Sequence, residues 1–120
     1  MTGSALALSA AQRQLVLAIL GANLPAGATA WVFGSRATGR ARRYSDLDLA
    51  LDAGRPLTLD ESARLAEAFR ESDLPYRVDL IDWRSIDDHF RRLIAGERTS
   101  LDQAAPADAA NPADPSPSPA

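Results

Sequence analysis

The chain contains no cysteine and no lysine. The first absence excludes disulfide scaffolds, cysteine-ligated zinc sites and thiol nucleophiles. The second excludes a Walker-type phosphate loop and a Schiff-base lysine. All 13 basic residues are therefore arginine, a bias that reads as coding preference rather than chemistry. Histidine is nearly absent as well. His89 is the single one, next to Phe90 in a stretch read as helix, and it is expected at the surface. Long hydrophobic runs are missing too. The longest, Leu15–Leu20, falls far short of the roughly 20 residues needed to cross a bilayer. The N-terminus lacks a basic flank before it, and Gln12 and Arg13 interrupt the approach, so no secretory signal is expected and a cytoplasmic location is. A net charge of −3 and a pI near 5.0 argue against an extended nucleic-acid surface.

What is present suits one small domain, expected over residues 1–102 of the 120. Residues 103–120 are rich in Ala, Pro, Asp and Ser and hold no large apolar side chain, so they read as a disordered tail. Ser9 and Gln12 have capping-box spacing, and Ala11, Leu15, Ala18, Ile19 and Ala22 follow on one helical face, ending near Gly21. Thr29–Phe33 is β-branched and aromatic and reads as a buried strand stopped by Gly34-Ser35. Residues 46–52 alternate strictly, with leucines on one face and aspartates on the other. Thr58 and Glu61 make a second capping box, opening a helix that is expected to bury Leu59, Ala63, Ala66 and Phe69. Residues 76–82 read as a third strand. Ser85 is expected to cap a last helix with Ile86, Phe90, Leu93 and Ile94 inward. The expectation is an α/β (α+β) domain: a small mixed sheet of about three to four strands, with helices packed on it.

Chemistry concentrates around Asp46 and Asp48. Two residues apart on a strand, they point to one face with Cα atoms about 6–7 Å apart. Adjacent carboxylates repel unless a cation lies between them, and hard oxygen ligands suit Mg²⁺ or Mn²⁺. Paired metals are a device of phosphoryl and nucleotidyl transfer. The plainer reading is an edge strand with a solvated acidic side. Gly34 lets the backbone approach a ligand, and Ser35 offers a hydroxyl and an amide to a phosphate. Arg36, Arg40, Arg42 and Arg43 fall between Ser35 and Asp46 with no acid among them. Such forked donors suit a triphosphate, or else they balance the nearby acids as a solvated loop. Asp79 is the third carboxylate, placed to bind metal or take a proton if its strand neighbours the first pair. Asp82 lies on the other face and Asp52 further from the turn, so neither is assigned. Trp31 and Trp83 read as packing residues, and Tyr44 as a loop aromatic.

The segment GSRATGRARRYSDLDLALD (34–52), followed by YRVDLID (76–82), resembles the nucleotidyltransferase superfamily related to DNA polymerase beta. The nearest likeness is to its minimal nucleotidyltransferases, whose motif is Gly-Ser, ten residues, then Asp-x-Asp. Gly34-Ser35 and Asp46-x-Asp48 match it, and the likeness extends over about residues 10 to 100. The resemblance implies that Asp46, Asp48 and Asp79 hold two Mg²⁺ ions and form the catalytic site. It also implies that Gly34 and Ser35 hold the phosphates of ATP, with Arg36 as a further phosphate contact. Many short members are antitoxins that transfer AMP onto a hydroxyl, commonly a tyrosine, of a HEPN-type toxin. A non-catalytic antitoxin that works by occlusion, and an antibiotic nucleotidyltransferase needing a partner subunit, stay as alternatives.

Overall fold

The computed structural model of the protein describes residues 7–101. The expected domain boundary at 102/103 and the tail over 103–120 lie outside the described residues. Helix α1 (Ala10–Asn23) leads into strand β1 (Thr29–Phe33) and a single helical turn, α2 (Ser35–Thr38). Strand β2 (Leu47–Asp52), helix α3 (Leu59–Arg70), strand β3 (Val78–Asp82), helix α4 (Asp88–Ala95) and a two-residue strand β4 (Thr99–Ser100) follow. The four strands form one sheet in the order β3-β2-β1-β4. β1 is antiparallel to both β2 and β4, and β2 is parallel to β3. A parallel pair needs a crossover connection, and α3 supplies it. The mixed α/β architecture is the expected one. β4 went unforeseen because two residues are too few to alternate.

The main core lies on one face of the sheet. Val32, Leu47, Leu49 and Leu51 project there and meet Val16 and Leu20 of α1, Leu65 and Phe69 of α3, and Leu101. The opposite face carries a smaller apolar patch. Trp31 packs on Trp83 with ring centroids 5.3 Å apart, and Phe33 meets Phe90 edge-on at 6.3 Å. Ala50 and Ile94 are fully buried outside the main core. The second patch covers the face only in part.

Both capping boxes form as expected. Ser9 Oγ accepts from the Gln12 amide at 3.0 Å, and Thr58 Oγ1 accepts from the Glu61 amide at 3.1 Å. The inward faces differ from expectation. Ala11, Ala18 and Ala22 of α1 are exposed, and Val16 and Leu20 are buried instead. In α3, Ala63 and Ala66 are exposed, Leu59 is 87% exposed, and Leu65 joins Phe69 inside. The larger side chains remove more apolar area from water, so they decide the rotation of each helix where an alanine stripe competes. Helix α1 runs past Gly21 and stops at Leu24, whose extended backbone (ψ 152°) is what a following proline favours. Helix α4 is capped by Asp87, whose Oδ1 accepts from the Phe90 amide at 2.8 Å. Ser85 instead ends a 3-10 turn (Trp83–Ser85) and donates to Asp82 Oδ2 at 2.8 Å. Leu93 is 57% exposed. Among the described residues, no helix is long and apolar enough to cross a membrane.

The corrected α3 face yields a direct check. Leu65→Ala is expected to cost about 2–5 kcal/mol, as core truncations do, and Leu59→Ala to stay within about 0.5 kcal/mol. Urea unfolding of the two variants beside the parent measures both.

Candidate active site

Strand β2 is the axis of the site. Its register sets Asp48 opposite Phe33 of β1 on one side and opposite Asp79 of β3 on the other. Residues paired across strands share a face. Asp48 and Asp79 therefore stand side by side on the face turned away from the main core. Asp46 precedes the strand by one residue and continues the same alternation. The three expected carboxylates come together at one end of the sheet.

The glycine–serine turn closes against them. Gly34 follows Phe33 with φ 76° and ψ −156°, a backbone that side chains rarely adopt. A Cβ at this position would collide with the Asp48 carboxylate. Each constraint demands glycine on its own, the backbone angle by strain and the approach to Asp48 by lack of room. Ser35 then opens α2, and the Gly34 carbonyl accepts from the amides of Ala37 and Thr38 at 3.0 and 3.1 Å.

Charge in this corner is poorly relieved. Burial pushes the Asp48 carboxyl above its ordinary value, and the charges of Asp79, Asp46 and Glu97 push it further the same way. One cation reaches in from the surface. Arg77 lies 3.5 Å from Asp46 Oδ2 and 3.6 Å from Asp79 Oδ1, with a side chain three-quarters exposed. Contacts of this kind are worth little in water. Among the described residues, no three His, Cys, Asp or Glu side chains are gathered closely enough to hold a metal ion as a ready-made cage. Mg²⁺ does not require one, because it keeps waters and binds through one or two carboxylates plus substrate phosphates. Asp46 and Asp48, hard oxygen donors with unrelieved charge, fit such an ion.

Arg36 departs from its expected role as a phosphate contact. It is 5% exposed and turned into the protein. Its Nε and Nη2 donate to the Ser45 carbonyl at 3.0 and 2.8 Å, Nη1 to Ala7 at 2.8 Å, and Nη2 also to Arg43 at 3.1 Å. The guanidinium lies 3.7 Å from the centre of the Tyr76 ring. Tyr76 in turn donates to Gln12 Oε1 at 2.9 Å. Arg36 thus ties the loop before Asp46 to the segment before α1 and to Tyr76. Arg40, Arg42 and Arg43 are exposed on that loop.

The residues set aside stay out of the site. Asp52 is held by Arg84 Nε at 2.8 Å, a hydrogen bond that lowers its pKa. Asp82 pairs with Leu51 on the core side and accepts from the Leu57 amide at 2.8 Å. His89 and Tyr44 are exposed. Sequence reasoning missed two residues. Arg77 carried a usable signal, since two positions before Asp79 along an extended segment is the same face. Glu97 carried none. It reaches Gly34 from 63 positions away, and its Oε1 accepts from the Gly34 amide at 2.6 Å.

A fold of this kind with this carboxylate triplet defines a nucleotidyltransferase class. The family model for the polymerase beta nucleotidyltransferase domain matches residues 20–103, and the chain belongs to that family. Over 66 residues it is 54% identical to a Haemophilus influenzae protein named "Probable protein adenylyltransferase MntA"; the match takes in 55% of this chain and 58% of that relative's length. The fold is similar to that of a toxin–antitoxin crystallised with AMP-PNP (TM-score 0.65, 28% identity, 74% of this chain and 71% of the other). It is also similar to a mutant of the toxin–antitoxin MntA–HpeT (TM-score 0.61, 25% identity, 74% and 70%). A third structure, taken to be a minimal nucleotidyltransferase, matches with TM-score 0.58 and 35% identity over 74% of this chain and 88% of its own.

Two outcomes follow from the electrostatics. Arg36→Met orphans several carbonyls and is expected to cost about 1.5–3 kcal/mol, read by urea unfolding; a surface phosphate contact would leave stability unchanged. Asp48 holds its proton to a higher pH folded than unfolded. Folding therefore takes up protons in the window between the two values, and stability falls as pH rises through it. Asp48→Asn cannot ionise. In metal-free buffer it is expected to melt higher than the parent above that window, with the gap closing below the ordinary carboxylate value. Thermal scans at a series of pH values test this.

Proposed function

We propose that the chain is an Mg²⁺-dependent protein adenylyltransferase acting as the antitoxin of a toxin–antitoxin pair. The observation that carries it is Asp48, flanked by Asp46 and Asp79 and pressed against the Gly34 turn. The relative named as a protein adenylyltransferase and the similar toxin–antitoxin folds support the same reading. Asp46 and Asp48 would hold Mg²⁺, which supplies charge neutralisation for the triphosphate. Gly34 and Ser35 would position the phosphates of ATP. An acceptor hydroxyl then attacks the α-phosphorus. The new bond is O–Pα, the broken bond is Pα–O to the β-phosphate, and pyrophosphate leaves. Asp79, on the edge strand opposite Asp48, would receive the hydroxyl proton. The acceptor assigned here is a tyrosine hydroxyl of a HEPN-type toxin, a choice that rests on the family resemblance. The sheet face around the carboxylates is covered only in part, which suits an acceptor brought by a partner protein.

Incubation with ATP, Mg²⁺ and the product of the adjacent reading frame, followed by intact-mass measurement, tests the reading. The partner is expected to gain one or more adenylate masses, and Asp48→Asn is expected to abolish the gain. A partner that forms a stable complex while its mass stays unchanged would replace transfer with neutralisation by occlusion.

A further inference from the structure

The Gly34 amide, which the reading above assigns to a phosphate, is taken by the protein's own carboxylate. Glu97 Oε1 accepts from it at 2.6 Å, a short contact of the charge-assisted kind. Glu97 sits between the end of α4 and the start of β4. The contact is made against the local charge. Glu97 is one of the groups that press the Asp48 carboxyl upward, and Asp46 and Asp79 lie on the same corner. The following residue brings no relief there, since the Arg98 guanidinium is stacked over Trp31 at 4.2 Å and Trp83 at 4.9 Å. A carboxylate that repels Asp48 and is held by one backbone amide is poised to leave when a stronger anion arrives.

We propose that Glu97 is an internal occupant of the phosphate-binding turn, and that the polyphosphate of a nucleotide displaces it. The inference rests on the nucleotide-binding reading given above. A phosphate oxygen offers the Gly34 amide the same acceptor chemistry as Glu97. It also arrives with countercations that the bare carboxylate lacks. Glu97 thereby sets nucleotide affinity, because part of the binding energy is spent on expelling it. The displacement has a built-in reporter. Glu97 moves with Arg98, and Arg98 covers the only two tryptophans of the chain.

The test uses the full chain, AMP-PNP and Mg²⁺, with calorimetry for affinity and tryptophan emission for the displacement. Parent, Glu97→Gln, Glu97→Ala and Asp48→Asn are compared, each checked for fold by circular dichroism. Glu97→Ala is expected to bind about tenfold tighter than the parent, with Glu97→Gln between them. The emission change on binding should be clear in the parent and small in Glu97→Ala. Equal or weaker binding by both Glu97 variants overturns the proposal and makes Glu97 a scaffold or a ligand contact. The nucleotide-binding reading survives that result if the parent binds and Asp48→Asn does not. Folded parent and Glu97 variants that all fail to bind remove both readings.

Discussion

One buried guanidinium holds the two halves of the site in register. The chain leaves β1 at Phe33 and must return to Asp46 through a connection rich in arginine and poor in apolar side chains. Apart from Ala37, which touches the core, it has no apolar side chain to anchor it. Arg36 supplies the missing anchor by giving its donors to the carbonyls of Arg42, Arg43, Ser45 and Ala7, while its flat face rests on Tyr76. A delocalised fork does this well, because one group reaches several carbonyls in fixed geometry and is weakly hydrated to begin with. The Gly34–Ser35 turn can then lean on Asp48, because both ends of the connection are tied. Tyr76 passes the same constraint to Gln12 and so to the start of α1. The Tyr76–Gln12 contact joins elements 64 residues apart in sequence.

The site itself works against the fold. Asp46, Asp48 and Asp79 lie together on one corner of a sheet, and Asp48 is partly withdrawn from water. Repulsion of this kind is tolerable only because the other face of the same strands is dry. Leu47, Leu49 and Leu51 alternate with the acids and are fully buried beneath α1 and α3. At roughly 25 cal/mol per Å² of apolar surface, three buried leucines outweigh the strain of one crowded carboxylate. The period of two along β2 thus separates stability from chemistry, residue by residue.

Much of this was legible in the sequence. The acid–leucine alternation gave both the strand and its two faces. Side-chain oxygens at Ser9 and Thr58, three residues before Gln12 and Glu61, gave two helix starts. The glycine–serine turn and the spacing to Asp46 pointed to the candidate site, and the face of Asp79 followed from its strand. Helix rotation was not legible, since alanines and leucines alternate densely in α1 and only packing decides which stripe turns inward. The task of Arg36 was hidden for a related reason. An arginine beside a phosphate-binding turn and an arginine buried among carbonyls look the same in one dimension, and the partner that decides, Tyr76, is forty residues away. The Glu97 contact spans 63 positions and has no periodic pattern to announce it.

The two residues that sequence left out have opposite signs and opposite places. Arg77 lies across Asp46 and Asp79, where a cation belongs. Glu97 lies on the Gly34 amide, where an anion belongs. Each answers part of the field that the site generates, and neither answers it fully. The Arg77 contacts are long and solvent-facing, and the Glu97 contact adds to the negative charge beside Asp48. A surface ion pair of that length contributes little. If the corner binds a metal–phosphate pair, as proposed, charges left unsatisfied in the empty site are what the ligand gains by entering. Arg77 offsets part of the negative charge of the corner, while Glu97 adds to that charge and occupies the Gly34 amide. On the proposed reading, binding at this corner would exchange ion partners within a backbone already held by Arg36 and by the Phe33–Asp48–Asp79 register.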